Sequence, residues 1–251
     1  MDTPDGSAES WRGEASKDGR RWGDPVPVNP DVTRVTEDYL TLIWKASEWP
    51  EEGRRPRTSD LAAALGVTLS TVSANLKKLA RDNLIRYEPY GAIELTDEGE
   101  RIAIDVVRRH RIIESFLVEQ MGIPWDEVHD EADLLEHAAS DRLIERMDEM
   151  LGHPDVDPHG DPIPRPGARR DANAVVLASC QVAQVVRVVR VSDTNPDILR
   201  FLADHGVGIG SELRVERELA TTGLMGVRHG DEALELSAPI AAAVHVVVVS
   251  L

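Results

Sequence analysis

The sequence predicts a mainly α-helical chain that ends in a β-rich domain. Three features predict it. Apolar residues recur at i, i+3 and i+4 as far as about residue 151, a proline-rich break covers 152–170, and the period then drops to two in QVAQVVRVVRV and HVVVVSL. The 251 residues are 41% hydrophobic and only 4% aromatic, so the cores must be built from Leu, Val, Ile and Ala. A net charge of −17 excludes a nucleic-acid coat or a polybasic membrane protein by bulk charge, although not a local basic patch. One cysteine, Cys180, excludes an internal disulfide framework and a Cys-rich zinc site. No apolar run approaches the ~20 residues of a membrane span, and no apolar region follows the N-terminal charges. The expectation is a soluble, cytoplasmic protein with no membrane partner.

Residues 1–30 are rich in Gly, Pro, Ser and Asp and have little to bury, which predicts a disordered tail. From Asp31 the spacing of Val35, Tyr39, Leu42, Ile43 and Ala46 predicts a helix that ends at a turn from Trp49 to Pro56. Two short helices follow, with Thr58 or Ser59 capping the first and Thr68 or Ser70 the second. LIRYEPYGAIEL (84–95) predicts two short strands about a Pro-Tyr-Gly turn. Thr96 then caps a long helix whose first turn carries Asp97, Glu98 and Glu100, where the helix dipole favours anions. Gly122 and Pro124 end it, and 125–139 and 140–151 predict two more amphipathic helices. The prolines at 154, 158, 162, 164 and 166 predict a stiff linker over 153–173. Residues 174–251 predict a small β-barrel that includes a short helix opened by Asn195-Pro196.

The two short helices have the chemistry of a helix-turn-helix. Ala62 permits close approach, Gly66 supplies the turn, and Val72 packs the second helix on the first. The strand pair that follows would be the wing, so 31–96 reads as a winged helix-turn-helix. Residues 54–90 hold seven basic side chains against three acidic, a local +4 on an acidic chain. Thr68, Ser70, Thr71, Ser73 and Asn75 can reach base edges or phosphates, while Arg57, Lys77, Lys78 and Arg81 neutralise the DNA backbone. The plain alternative is a helical hairpin with a solvated basic face.

Residues 97–152 carry a second pattern. His110 and Glu114 are four apart on the long helix, and His129, Asp133, Glu136 and His137 fall within an arc of about 100° on the next. Residues 126–157 hold twelve carboxylates against two arginines, a stripe that repels itself unless cations draw it together. Oxygen and imidazole donors without thiolate suit Mn(II), Fe(II), Co(II) or Zn(II). The plain alternative for any one pair is a surface salt bridge. DVDPHGD faintly resembles a calcium loop, but Pro166 occupies the twelfth place where a bidentate Glu is needed, so it reads as linker. His153, His159, His205, His229 and His245 read as structural.

The order of these parts, with RRHRIIESFL, WDEVHDEADLLEHAASDRL, DPHGDPIP and SDTNPDILRFL, resembles the metal-dependent repressor family that includes the diphtheria toxin repressor. Over about 32–251 it is most similar to the actinobacterial manganese-sensing branch. The resemblance implies that 97–152 also mediates dimerisation and that 174–251 is SH3-like. It implies a primary metal site of Asp38, Asp133, Glu136 and His137, and a secondary site of His110, Glu114 and His129. Iron-sensing relatives hold Met and Cys where this chain has Asp38 and Asp133. The family's C-terminal domain adds two ligands, which fall here on Asp193, able to coordinate, and Arg190, unable to. Two-metal manganese relatives carry a Glu where this chain has Thr41.

The expected function is a Mn(II)-dependent homodimeric repressor on a palindromic operator of manganese homeostasis genes, with an Fe(II)-dependent repressor as the alternative. A metalloenzyme would need a nucleophile or a phosphate-cradling motif beside the cluster, and the sequence shows none. A stripe that serves only solubility would take up no metal.

Overall fold

The computed structural model describes residues 32–48, 56–88, 92–165 and 173–250. The predicted tail, most of the Trp49–Pro56 turn, the Pro-Tyr-Gly turn and the end of the proline-rich stretch lie outside them. Three apolar cores follow one another along the chain.

The first core belongs to α1 (Arg34–Glu48), α2 (Thr58–Leu65), α3 (Leu69–Arg81), β1 (Ile85–Tyr87) and β2 (Ile93–Leu95), joined by Ile102 and Ala103 of the long helix that follows. Tyr39, Leu40 and Ile43 of α1 meet Leu61, Val72, Leu76 and Leu79, all of them buried. Gly66 sits at φ +64° between α2 and α3, a left-handed turn that a side chain would strain. Thr68 caps α3, its hydroxyl accepting from the Thr71 N–H at 3.2 Å. The start of α2 differs from expectation. Neither Thr58 nor Ser59 caps it; Arg57 holds the cap position, and the Asp60 carboxylate accepts from the Arg57 N–H at 3.0 Å. β1 and β2 pair antiparallel, with Ile85 opposite Leu95.

The long helix α4 (Asp97–Met121) begins at Thr96, whose hydroxyl accepts from the Gly99 N–H at 3.2 Å, and ends at Gly122 in the left-handed region. Gly99 is required, because a Cβ there would lie 2.0 Å from the Leu84 carbonyl oxygen. α4 packs against α5 (Val128–Leu135) and α6 (Asp141–Met150) around Ile112, Ile113, Leu117, Val128, Ala132 and Ile144. These two helices are shorter than predicted. Ser140 caps α6 and separates it from α5, its hydroxyl accepting from the Leu143 N–H.

Residues 153–165 are not a solvated spacer, despite their prolines. Ile163 and His159 are fully buried, and Asp157 and Asp161 nearly so. The Asp157 carboxylate accepts from the N–H groups of His159 and Asp161, both at 2.9 Å, which folds the stretch into a turn.

The C-terminal domain is a six-stranded antiparallel sheet in the order β3-β8-β4-β5-β6-β7. Its strands are β3 (Val175–Val176), β4 (Val185–Val191), β5 (Glu212–Arg217), β6 (Leu224–His229), β7 (Glu232–Ser237) and β8 (Val244–Ser250). Short helices α7 (Pro196–Asp204), α8 (Leu219–Thr222) and α9 (Ala238–Ala243) connect them. Asn195 opens α7 by accepting from the Asp197 N–H at 3.0 Å. Alternate valines of β4 and β8 pair, as Val188 does with Val246, and face one core that includes Leu199, Leu213 and Met225. No helix among the described residues is long and apolar enough to cross a membrane.

Candidate metal centre and nucleic-acid interface

α1 has two faces. Tyr39, Leu40 and Ile43 enter the core of the winged module, while Glu37 and Asp38 meet His137, just beyond α5. His137 Nδ1 lies 2.6 Å from Glu37 Oε2, and its Nε2 lies 3.0 Å from Asp38 Oδ1 and 3.1 Å from Glu136 Oε1. The other oxygen of Glu136 stands 2.6 Å from His110 Nδ1. His110 Nε2 lies 3.0 Å from Glu114 Oε1 and 3.2 Å from His129 Nδ1. Asp193, two residues past β4, reaches His129 Nδ1 at 3.5 Å.

The structure therefore brings Asp38, Glu136 and His137 together, and also His110, Glu114, His129 and Asp193. Asp133 keeps one expected partner, Glu136, and groups with it and His110 and not with Asp38 and His137. It stands 3.3 Å from His110 Nδ1 and 3.7 Å from His129 Nε2, at the junction of the two groups. Thr41 is buried on α1, and its hydroxyl has no hydrogen-bond partner among the described residues. Arg190 is a partner of Asp161 at 2.6 Å.

Three residues escaped the sequence reading. Glu37 pairs with His137, and its signal is its place beside Asp38. Asp157 and His159 join Glu114 in a third, wholly buried group. Their signal is an aspartate two residues before a histidine, hidden by the prolines. His159 Nε2 bonds to the Trp125 carbonyl at 2.7 Å, and its ring stacks on Trp125, which accounts for a structural role. A carbonyl only accepts, so Nε2 carries the proton. The buried Nδ1 makes no hydrogen bond among the described residues but pairs with Glu114 Oε2 at 3.6 Å, and against burial Glu114 and Asp157 raise the ring's pKa to about 9.

Charge coupling is strong here. Burial opposes charging His137, yet Asp38, Glu136 and Glu37 raise its pKa to about 11. Burial likewise opposes charging His110, and Glu114 with Glu136 lifts it to about 10. Glu136 is pulled down to about 2 against its burial by His110 and His137, and Glu114 falls well below the usual carboxylate range for the same kind of reason. Burial, then Asp161 and Glu114, push Asp157 up to about 8. Protons on His110 and His137 thus offset part of the carboxylate charge.

Donor atoms held about 2.1 Å from one first-row ion stand roughly 3.0–3.4 Å apart, as His137 Nε2 does from Asp38 and Glu136 and His110 Nε2 from Glu114 and His129. The 2.6 Å contacts of His137 with Glu37 and of His110 with Glu136 are instead direct hydrogen bonds. The oxygen and imidazole donor set, without thiolate, also fits a divalent cation.

On α3, Lys77, Lys78 and Arg81 are exposed. Arg57 is exposed and bonded to Asp60. The hydroxyls of Ser70 and Thr71 bond to that of Thr68 at 2.8 and 2.9 Å, and Ser73 is half-buried. Asn75 turns inward: its amide donates to the Tyr39 hydroxyl at 3.3 Å and to the Thr71 carbonyl at 3.2 Å.

Residues 31–93 match the family described as iron dependent repressor, N-terminal DNA binding domain, and 96–165 match its metal binding and dimerisation domain. The chain belongs to this family of metal-dependent repressors. Residues 175–248 match the FeoA domain, the SH3-like part of the fold. The iron-dependent repressor IdeR of Mycobacterium tuberculosis is 36% identical over 200 residues, 74% of this chain and 85% of that one. The diphtheria toxin repressor of Corynebacterium glutamicum is 31% identical over 227 residues, 86% of this chain and 97% of that one. Among solved structures, a manganese-dependent transcriptional repressor in complex with manganese is 42% identical, with a TM-score of 0.78, over 85% of this chain and all of that one. The manganese regulator SloR is 31% identical, with a TM-score of 0.68, over 84% and 97%. The family comprises DNA-binding repressors, not enzymes.

Proposed function

We propose that this repressor is a cytoplasmic homodimer that uses Mn(II) to grip a palindromic operator of manganese homeostasis genes. The observation that carries this reading is the seam between α1 and the helical domain, where Glu37 and Asp38 face Glu136 and His137. Asp38, Glu136 and His137 would hold one ion. His110, Glu114, His129 and Asp193 would hold a second, with Asp133 between the two groups and Asp157 and His159 behind Glu114. A dication bound there supplies charge neutralisation and a directional bond between helices.

The residues do the rest. Asp38 fixes the angle of α1, and α1 carries the core of the winged module on its other face. In a homodimer the two α3 helices are then set about 34 Å apart, one turn of DNA. Thr68, Ser70, Thr71 and Ser73 would face the groove, Arg57, Lys77, Lys78 and Arg81 would meet phosphates, and Asn75 would steady α3. Metal strengthens DNA binding by its preference for this arrangement.

Asp38 and Asp133 favour manganese, because both are hard donors, and the 42% identical neighbour is named for manganese. The identity with IdeR supports the second reading, an Fe(II)-dependent repressor of iron uptake genes; Co(II) and Zn(II) are expected surrogates. Titrating DNA affinity with Mn(II) and, without oxygen, with Fe(II) separates the two. Stimulation by neither metal would sink both.

A further inference from the structure

Arg190 stands in β4 at a place where a ligand was expected, and a guanidinium cannot ligate. Its Nε donates to Asp161 Oδ1 at 2.6 Å, and both side chains are buried. The contact belongs to a fitted surface. The Val191 N–H donates to the His159 carbonyl at 2.8 Å. Gly160 sits at φ +89°, and a Cβ there would lie 2.1 Å from the Val189 carbonyl oxygen and 2.9 Å from the Arg190 Cα. The turn beneath is held from below as well, since Arg111 of α4 reaches the Pro162 carbonyl at 2.6 Å and lies 3.5 Å from Asp157 and 3.8 Å from Asp161. Arg111 also pairs with Glu48 of α1 at 2.5 Å. Protein groups alone make all these bonds. Two residues beyond β4, Asp193 meets His129.

We propose that Arg190 is a positioning residue. Its ion pair with Asp161 docks the C-terminal domain on the helical domain before any metal arrives, and so holds Asp193 within reach of His110, Glu114 and His129. The positioning half rests on reading that cluster as a metal site. The guanidinium Nε meets a buried carboxylate, and breaking a buried charged pair is costly, so the pair is a strong fixed point.

The test uses the full chain and Mn(II) alone. In the metal-free protein, 15N relaxation should give amides of the C-terminal domain the same correlation time as those of α4. In Arg190→Gln that of the C-terminal domain should shorten, and excess Mn(II) should restore it through Asp193. Counting bound Mn(II) by electron paramagnetic resonance should show one class weakened about ten- to hundredfold and the other unchanged. The paired variant Arg190→Gln/Asp161→Asn leaves no lone buried carboxylate, and it should release the domain without changing its melting temperature. Separate tumbling of the metal-free wild type, or continued docking in both variants, overturns the docking. Equal weakening of both Mn(II) classes overturns the positioning role. A wild type that takes up no Mn(II) removes the metal reading and the positioning role with it, while relaxation still decides the docking.

Discussion

The winged module and the seam beside it are held together by different physics. Inside the module, Leu40, Leu76 and Val72 are fully buried among other apolar groups. Across the seam, Ile102 and Ala103 of α4 extend that apolar core, and α1 is tied to the helical domain in addition by Glu37 and Asp38 on His137 at one end and by Glu48 on Arg111 at the other. Apolar packing is insensitive to small ions, whereas a cluster of imidazoles and carboxylates changes its net charge with every proton or metal it takes. The difference teaches that protons and ions can act on the polar part of the seam and not on the apolar core, so the proposed regulation belongs to the seam.

Two substitutions should break this contrast in opposite ways. The largest effect is expected from Asp38→Ala. Folding should remain nearly intact, yet DNA affinity with saturating Mn(II) should fall to the metal-free value. A full response to Mn(II) would show that Asp38 is no ligand. Leu76→Ala should do the reverse, costing about 2–5 kcal/mol of stability through a cavity while leaving Mn(II) uptake by the helical domain in place. Chemical denaturation beside metal titration checks both.

Proton linkage sharpens the contrast next. His110 and His137 titrate near 10 and 11 when folded, against 6.5 when unfolded. Their contribution to metal-free stability is full below about pH 6.5 and is lost as pH rises through 10 and 11. Asp157 works in the same direction: with its folded value near 8, stability falls as pH rises from about 4 to 8. Glu136 works oppositely, its contribution present above about 4.5 and lost as pH falls through 2. The metal-free melting temperature should therefore decline from pH 6.5 towards 10. Metal must displace imidazole protons, so Mn(II) affinity should rise up to about tenfold per pH unit for each proton released. Affinity that stays flat from pH 6 to 8 would mean that no proton leaves these imidazoles.

What the sequence made legible follows the same division. Helical periodicity and the Ala62, Gly66 and Val72 spacing sufficed for the module, because its packing is local. His110 and Glu114 were visible because they share one face of one helix. Asp193 was reachable only through family resemblance, since it lies 64 residues past His129 and meets it through the docking of a whole domain. Asp157 and His159 were hidden for another reason. Proline-rich segments usually face solvent, and here the Asp157 carboxylate caps two backbone N–H groups and makes the turn buriable. Asn75 looked like a base reader by its place on α3, but nothing in a linear pattern shows that Tyr39 lies within reach of its amide.

The smallest expected effect bears on the exposed side of the module. Lys78 lies on α3, open to solvent, with no ion pair found among the described residues. If it neutralises one phosphate, its loss removes one released counterion and no base contact. Lys78→Ala should then weaken binding to cognate and unrelated DNA by the same factor. It should also lower the slope of log affinity against log salt by about 1 in magnitude, while Mn(II) stimulation keeps its wild-type ratio. Competition titrations at three salt concentrations measure all three quantities. Loss confined to the cognate sequence would make Lys78 a base reader, and a changed Mn(II) ratio would mean that the exposed face of α3 takes part in the switch that the contrast assigns to the seam.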